Sequence, residues 1–362
     1  VEHAWVELFD GRHTLQEIHQ RTAHRFGGRN TSMEQLSRFV ARLEEGLLLH
    51  SPRFQRILDD PVRPPRCIGC YEGEAEALKQ QLHQLFTHPR GAGLPGKRLA
   101  DGSLSGILVP HIDYRRGGLC YTHGFKELCE KTDASLFVII GTSHYSTHRY
   151  TLTRKNFQTP LGIMPTDQKF IDRLEKNYGQ GLFDDEWLAH FPEHSIELEV
   201  VFLQYLFEGF RPIRIVPLVV GSFYDCVATQ TSPTARPDIA RMIQALRQTG
   251  EATQEPVCYI ISGDLAHIGP KFNPEESLDE ELLEHSRQQD QKLMRHAGAV
   301  NVAEFFRTIA AESDARNICG LPPAFTALSA IRPHSGKVLQ YHRHVDPTGR
   351  ESVSFASAAF YR

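Results

Sequence analysis

No run of apolar residues in this chain approaches the roughly 20 that a membrane-spanning helix needs, and the longest, such as residues 136–140, are strand-sized. Charge of one sign is not in excess either. With 40 Lys and Arg against 44 Asp and Glu the net charge is −4, so no global basic field exists to attract nucleic acid or anionic lipid. Cysteine is sparse: seven spread over 362 residues do not make a disulfide framework, and they point to a reducing, cytoplasmic setting. Low-complexity tracts and internal repeats are missing. The chain opens with Val1 rather than methionine and shows no signal-peptide pattern, as a trimmed or fragmentary chain would. What remains has the composition of an ordinary globular protein, 40% hydrophobic and 23% charged. Its length suits one large α/β domain with a small companion, or two medium domains.

Residues 1–60 predict that companion as a small, mostly helical unit. Leu15, Ile18 and Phe26 fall on a helix opened by Thr14, with Glu17 in the capping-box position. Ser32 opens a second helix, with Leu36, Phe39, Val40 and Leu43 on its apolar face, which stops near Gly46. Leu47, Leu48 and Leu49 then read as a short strand. Residues 59–65, Asp-Asp-Pro-Val-Arg-Pro-Pro, have linker composition and give the best boundary, with a linker at 61–65 and a second domain over 66–362. A helix is expected from Glu74 to about Thr87. Beyond it, apolar runs at 107–109, 136–140, 213–220 and 257–261 alternate with amphipathic stretches near 120–131, 166–177, 195–208, 236–248, 276–297 and 302–311. Such alternation predicts an α/β fold with a central sheet flanked by helices. Runs at 337–341 and 352–360 read as closing strands.

The histidines carry the chemistry. Three strand-like runs end in histidine-bearing turns: Val-Pro-His111, Gly-Thr-Ser-His144 and Ser-Gly-Asp264-Leu-Ala-His267. In α/β folds, ligands and catalytic groups collect where loops from the carboxyl ends of several strands converge. One such histidine is ordinarily a satisfied surface or core residue; three at equivalent ends point to a site. Glu193-His194-Ser195-Ile196-Glu197 opens a helix on which these side chains share a face. The bland alternative there is an exposed helix start with carboxylates at its positive end. Cys319, just ahead of the apolar stretch 324–331, stands where a helix terminus lowers a thiol pKa, although most such cysteines are small buried hydrophobes. Cys67-Ile68-Gly69-Cys70 is a lone CxxC, short of the second pair a zinc site needs and without a thioredoxin-like strand before it. Gly117 and Gly118, after Asp113 and Tyr114, read as a turn that approaches the pocket closely.

Taken in order, these motifs resemble the Memo family, and more closely its bacterial branch called AmmeMemoRadiSam system protein B. PHIDY at 110–114 is similar to the family's PHAGY-type turn and GTSHY at 141–145 to its GPSHH-type turn. TPLG at 159–162, EHSIE at 193–197, IVPLVVG at 215–221, SGDLAHIG at 262–269, NICG at 317–320 and SVSFASAA at 352–359 also have counterparts. The match covers residues 65–362; the first 60 residues lie outside it and resemble a winged-helix or PqqD-like domain. Asp113 replaces a glycine of the animal Memo pattern, and Tyr145 replaces a second histidine.

The resemblance implies a fold similar to the class III extradiol dioxygenases, which hold Fe(II) by two histidines and a carboxylate. Carried across, His111 and His144 would be ligands and Cys319 would take the carboxylate's place. His267, with Asp264 beside it, would be the acid/base, and His194 would line the pocket. A thiolate makes such a site softer and more hospitable to copper or zinc, with iron still compatible. The family's branch name also implies an AMMECR1-like protein and a radical SAM protein as partners, with the N-terminal domain recruiting a peptide. The function expected is a non-haem metalloenzyme of oxidoreductase type acting on a small or peptide-borne substrate. Two other readings stay open: an adaptor with a vestigial pocket, and a structural zinc protein.

Overall fold

A computed structural model describes residues 1–28, 32–98 and 102–362. The chain divides into two compact units, Val1–Asp60 and Pro61–Arg362.

The first unit is helical throughout its described residues, with helices Glu2–Val6, Leu15–Arg25, Met33–Glu45 and Pro52–Asp59. Thr14 and Ser32 close full capping boxes with Glu17 and Gln35, so the amides of the capping residue and of the third helical residue are satisfied by local side chains. Trp5, Ile18 and Leu36 form a small core, and the Trp5 indole donates to Thr22. Leu47–Leu49 do not form a strand. Leu47 instead takes a left-handed conformation (φ 57°), and Leu48 N–H reaches back to Leu43. These contacts end one helix, and Ser51 with Pro52 starts the next. Three consecutive leucines have no alternation to bury one face of a sheet, so the turn prevails.

In chain order the strands of the second unit are β1 (Val62–Arg63), β2 (Leu104–Val109), β3 (Leu136–Thr142), β4 (Tyr150–Leu152), β5 (Asn156–Thr159), β6 (Gly162–Met164), β7 (Arg214–Val220), β8 (Val257–Ser262), β9 (His267–Ile268), β10 (Ser335–Val345) and β11 (Ser352–Tyr361). The large sheet has the order β10-β11-β2-β8-β3-β7-β4, with β9 on β11. Its centre, β2-β8-β3-β7, is parallel, whereas β4, β9, β10 and β11 pair antiparallel. The result is a mixed sheet flanked by helices.

The central strands read as unbroken apolar runs because both faces are covered. Leu136, Val138 and Ile140 face one core, with helices Pro237–Glu251 and Leu321–Ile331; Phe137 and Ile139 face the other, with Tyr114–Lys131 and Glu197–Phe207. The helix expected near 120 begins earlier, at Tyr114, and it contains Gly117 and Gly118. These glycines form no turn. A Cβ on Gly117 would lie 2.2 Å from Ile112 Cγ2, and one on Gly118 would lie 2.6 Å from Leu85, so they let the helix sit close to its neighbours. Among the described residues no helix is long and apolar enough to cross a membrane.

The small sheet β1-β5-β6 begins inside the linker-like stretch. Arg63 of β1 is fully buried, and its guanidinium pairs with the equally buried Glu197 at 2.6 Å.

Candidate metal centre

Register brings the site together. Val109 of β2 pairs with Ser262 of β8, and Ser262 pairs with Gly141 of β3. These three neighbouring parallel strands therefore end at one level, and the chain just beyond them carries His111, Asp264 and His144. The turn before helix Glu197–Phe207 adds His194. The imidazole rings of His111, His144 and His194 lie 4.9–5.4 Å apart, centroid to centroid. Ligand atoms of these three histidines all lie within 4.8 Å of one another, and so do those of His111, Asp264 and Cys319. His111 belongs to both groups. His144 and Cys319, both expected as ligands, fall in different groups.

Two carboxylates hold this arrangement. Glu193 is buried and accepts from the backbone amides of His144, His194 and Ser195 and from His144 Nδ1 at 3.0 Å. Burial alone would raise its pKa, but the His144 hydrogen bond and the nearby imidazoles hold it far below the usual carboxylate range. Burial likewise works against a charged His144, yet Glu193 outweighs it and leaves that ring above its ordinary value. With Nδ1 committed to Glu193, His144 keeps Nε2 for the cleft, as a carboxylate-oriented metal ligand does. Asp264 is the second carboxylate. It accepts the His111 amide at 3.1 Å, and its other oxygen lies 3.7 Å from His111 Nε2. Burial pushes its pKa up to about 7.

The remaining groups are kept neutral. Desolvation, with repulsion from neighbouring imidazoles, holds His111 well below its ordinary value and lowers His194. Burial takes His267 down to about 4. Its Nδ1 lies 3.1 Å from the carbonyls of Leu265 and Asn317, so Nδ1 carries the proton and Nε2 is the free base. Cys319 Sγ lies 3.2 Å from His111 Nε2, and burial, then the charge of Asp264, raises its thiol well above normal. The lowering expected from the helix terminus is overcome by desolvation. Close packing fixes Cys319: a Cβ on Gly263 would lie 2.5 Å from Gly320 Cα.

His111, His144, His194, Asp264 and His267 share one cleft of about 370 Å³, whereas Cys319 lines a smaller one of about 230 Å³. Neutral imidazoles with free nitrogens, a buried carboxylate and a thiol suit a divalent metal, so the donor set fits the group the fold implies.

Neither Glu193 nor Glu197 lies on an exposed helix start. Glu197 bonds Arg63, Tyr71 and the amides of Arg66 and Cys67, while Glu193 serves the histidines. Their setting held a signal: both precede the run Leu198–Leu203, which is buried throughout and leaves no solvent for a carboxylate. Asp113 caps helix Tyr114–Lys131 and pairs with Arg116.

A family model described as Memo-like protein matches residues 63–359. The chain belongs to the Memo family. A MEMO1 family protein of Methanopyrus kandleri is 28% identical over 310 residues, which cover 83% of this chain and 99% of the relative. A MEMO1 family protein of Aquifex aeolicus is 25% identical over 369 residues, covering 98% of this chain and 90% of the relative. The Memo part is therefore nearly the whole of the first relative. The second alignment extends through the N-terminal unit as well.

Proposed function

We propose that this Memo protein is a non-haem metalloenzyme of oxidoreductase type that binds one metal ion through His111, His144 and His194, with Cys319 as a further donor beside His111. The convergence of three imidazoles, one of them oriented by the ionised Glu193, carries this reading. The metal would supply Lewis acidity and, if iron or copper, one-electron chemistry with O₂; zinc would supply the first alone. Glu193 keeps the His144 lone pair aimed into the cleft. Asp264 would offset the charge a metal brings and hold the His111 loop by its amide. His267, in the same cleft as neutral imidazole with a free Nε2 and its pKa at about 4, would take a proton from the substrate, becoming imidazolium, and give it back, returning to the neutral form. The substrate would be small or peptide-borne. An AMMECR1-like protein and a radical SAM protein would act in the same pathway, and the N-terminal unit would recruit a peptide.

The test is metal content by elemental analysis after anaerobic purification, for the native chain and for His111→Ala, His144→Ala, His194→Ala and Cys319→Ala. Near-stoichiometric metal that is lost in the three histidine variants supports the reading. Absence of metal under every loading condition, with the variants folded and unchanged, would sink it.

A further inference from the structure

The cleft has a wall that the metal reading does not use. Cys67 and Cys70, joined as a disulfide, line the same cleft as His111, His144, His194 and His267. Both cysteines are half-buried, and the loop tip between them is exposed, with Ile68 53% accessible, so a reductant can reach the sulfurs. The other five cysteines are free, and four of them are buried.

Stability does not account for this bond. A cross-link between cysteines three positions apart removes little chain entropy, since stabilisation grows with loop length. The loop is also already pinned at both ends. Cys67 N–H donates to Glu197 at 2.9 Å, and Cys70 C=O accepts from Tyr114 N–H at 3.0 Å. Glu197 is three residues past His194, and Tyr114 is three past His111. The CxxC loop is thus clipped to the two turns that present candidate metal ligands. The sequence, with no second CxxC pair, offered no partner for these cysteines; the fold supplies the histidine cleft.

We propose that Cys67 and Cys70 are a redox-active dithiol–disulfide couple in the wall of the metal cleft, cycled by a thioredoxin-class dithiol protein. In the reducing direction a carrier thiolate attacks one sulfur of the pair, forming a mixed disulfide and releasing the other sulfur as a thiolate, which takes up a proton. The carrier's second thiolate then breaks the mixed disulfide and releases the remaining sulfur, which is protonated in turn. The carrier is oxidised by two electrons, and the pair is reduced by two. The reduced state places two thiols beside the histidines. This couple stands independently of whether the metal reading is right, because its chemistry needs no metal.

The experiment uses the full-length chain, with and without chelator, in a series of dithiothreitol buffers from fully oxidised to fully reduced. Samples are acid-quenched, alkylated in denaturant and mapped by peptide mass spectrometry. Label at Cys67 and Cys70 is expected to rise together, from neither to both, in a single two-electron step, while the other five cysteines stay labelled throughout. A catalytic amount of thioredoxin with its reductase and NADPH is expected to produce the same change in the folded protein. Labelling of the pair that never changes across the series, whether neither or both, overturns the proposal, as does reduction that requires denaturant. Cys67→Ser and Cys70→Ser test the mechanism directly. Each should abolish the two-electron step, whereas the oxidised native chain, with its disulfide intact, should trap a mixed disulfide with a thioredoxin lacking its resolving cysteine. Failure of the oxidised native chain to trap, under conditions where the protein stays folded, would also overturn it.

Discussion

The two walls that meet at His111 are built on opposite electrostatic plans. On one side His144 and His194 gather around Glu193, a buried carboxylate that stays ionised because hydrogen-bond donors surround it. On the other side the buried Asp264 and the half-buried Cys319 flank His111, and desolvation pushes both toward their protonated forms. The first wall is preorganised without a metal. The second carries latent negative charge that a bound cation would draw out, since metal binding displaces protons from its ligands. A cleft can thus hold its ligands in place on one side and keep its charge in reserve on the other.

The support beneath the first wall is the strongest place to break this contrast. Arg63→Ala leaves Glu197 as an unpaired buried charge and removes the donors to the His190 and Glu193 carbonyls. Losing one partner of such a pair costs about 3–5 kcal/mol, so urea unfolding of the variant should show a loss of that size; a loss below about 1 kcal/mol would mean that the Glu193 turn holds itself.

The second wall is tested by pH. The folded pKa of Asp264 lies near 7, above its unfolded value of about 4. The native state therefore binds this proton more tightly, and the stability contributed by Asp264 falls as pH rises from about 4 to 7, by up to about 1.4 kcal/mol per pH unit. It opposes the depressed His267, whose contribution rises with pH above about 4. In metal-free protein Asp264→Asn should remove that downward contribution, so that stability changes more positively with pH between about 4 and 7 than in the native chain. An unchanged slope would show that Asp264 is ionised despite its burial.

Glu193→Gln keeps the shape and removes the charge. Loss of an outer carboxylate partner costs roughly 10–100-fold in metal affinity, to be read by competitive chelator titration. An affinity equal to native would mean that packing alone orients His144. The smallest effect on the metal site is expected from His267→Ala, which should leave metal content unchanged while abolishing any substrate turnover. Loss of metal in that variant would move His267 from proton carrier to ligand.

Much of this was legible in the linear chain. Unbroken apolar runs marked the parallel strands, and the histidines after them were recognisable because the ends of such strands are where loops converge. Thr14 and Ser32 announced their helices by local chemistry alone. The role of Glu193 was not legible, because the same five residues read equally well as a solvated helix start. Its burial depends on Arg63, 130 positions away. The fate of Leu47–Leu49 was also undecided, since a short apolar run suits a strand or a turn until its neighbours are known.

The sequence by itself therefore determined the family, the mixed α/β architecture and the presence of histidines at strand ends, because local periodicity and ordered motifs are written along the chain. Tertiary structure alone decided which of those groups share a cleft, which carboxylate keeps its charge, and that Cys67 and Cys70 face the histidines. Strand register and burial set these outcomes, and both arise from residues far apart in sequence.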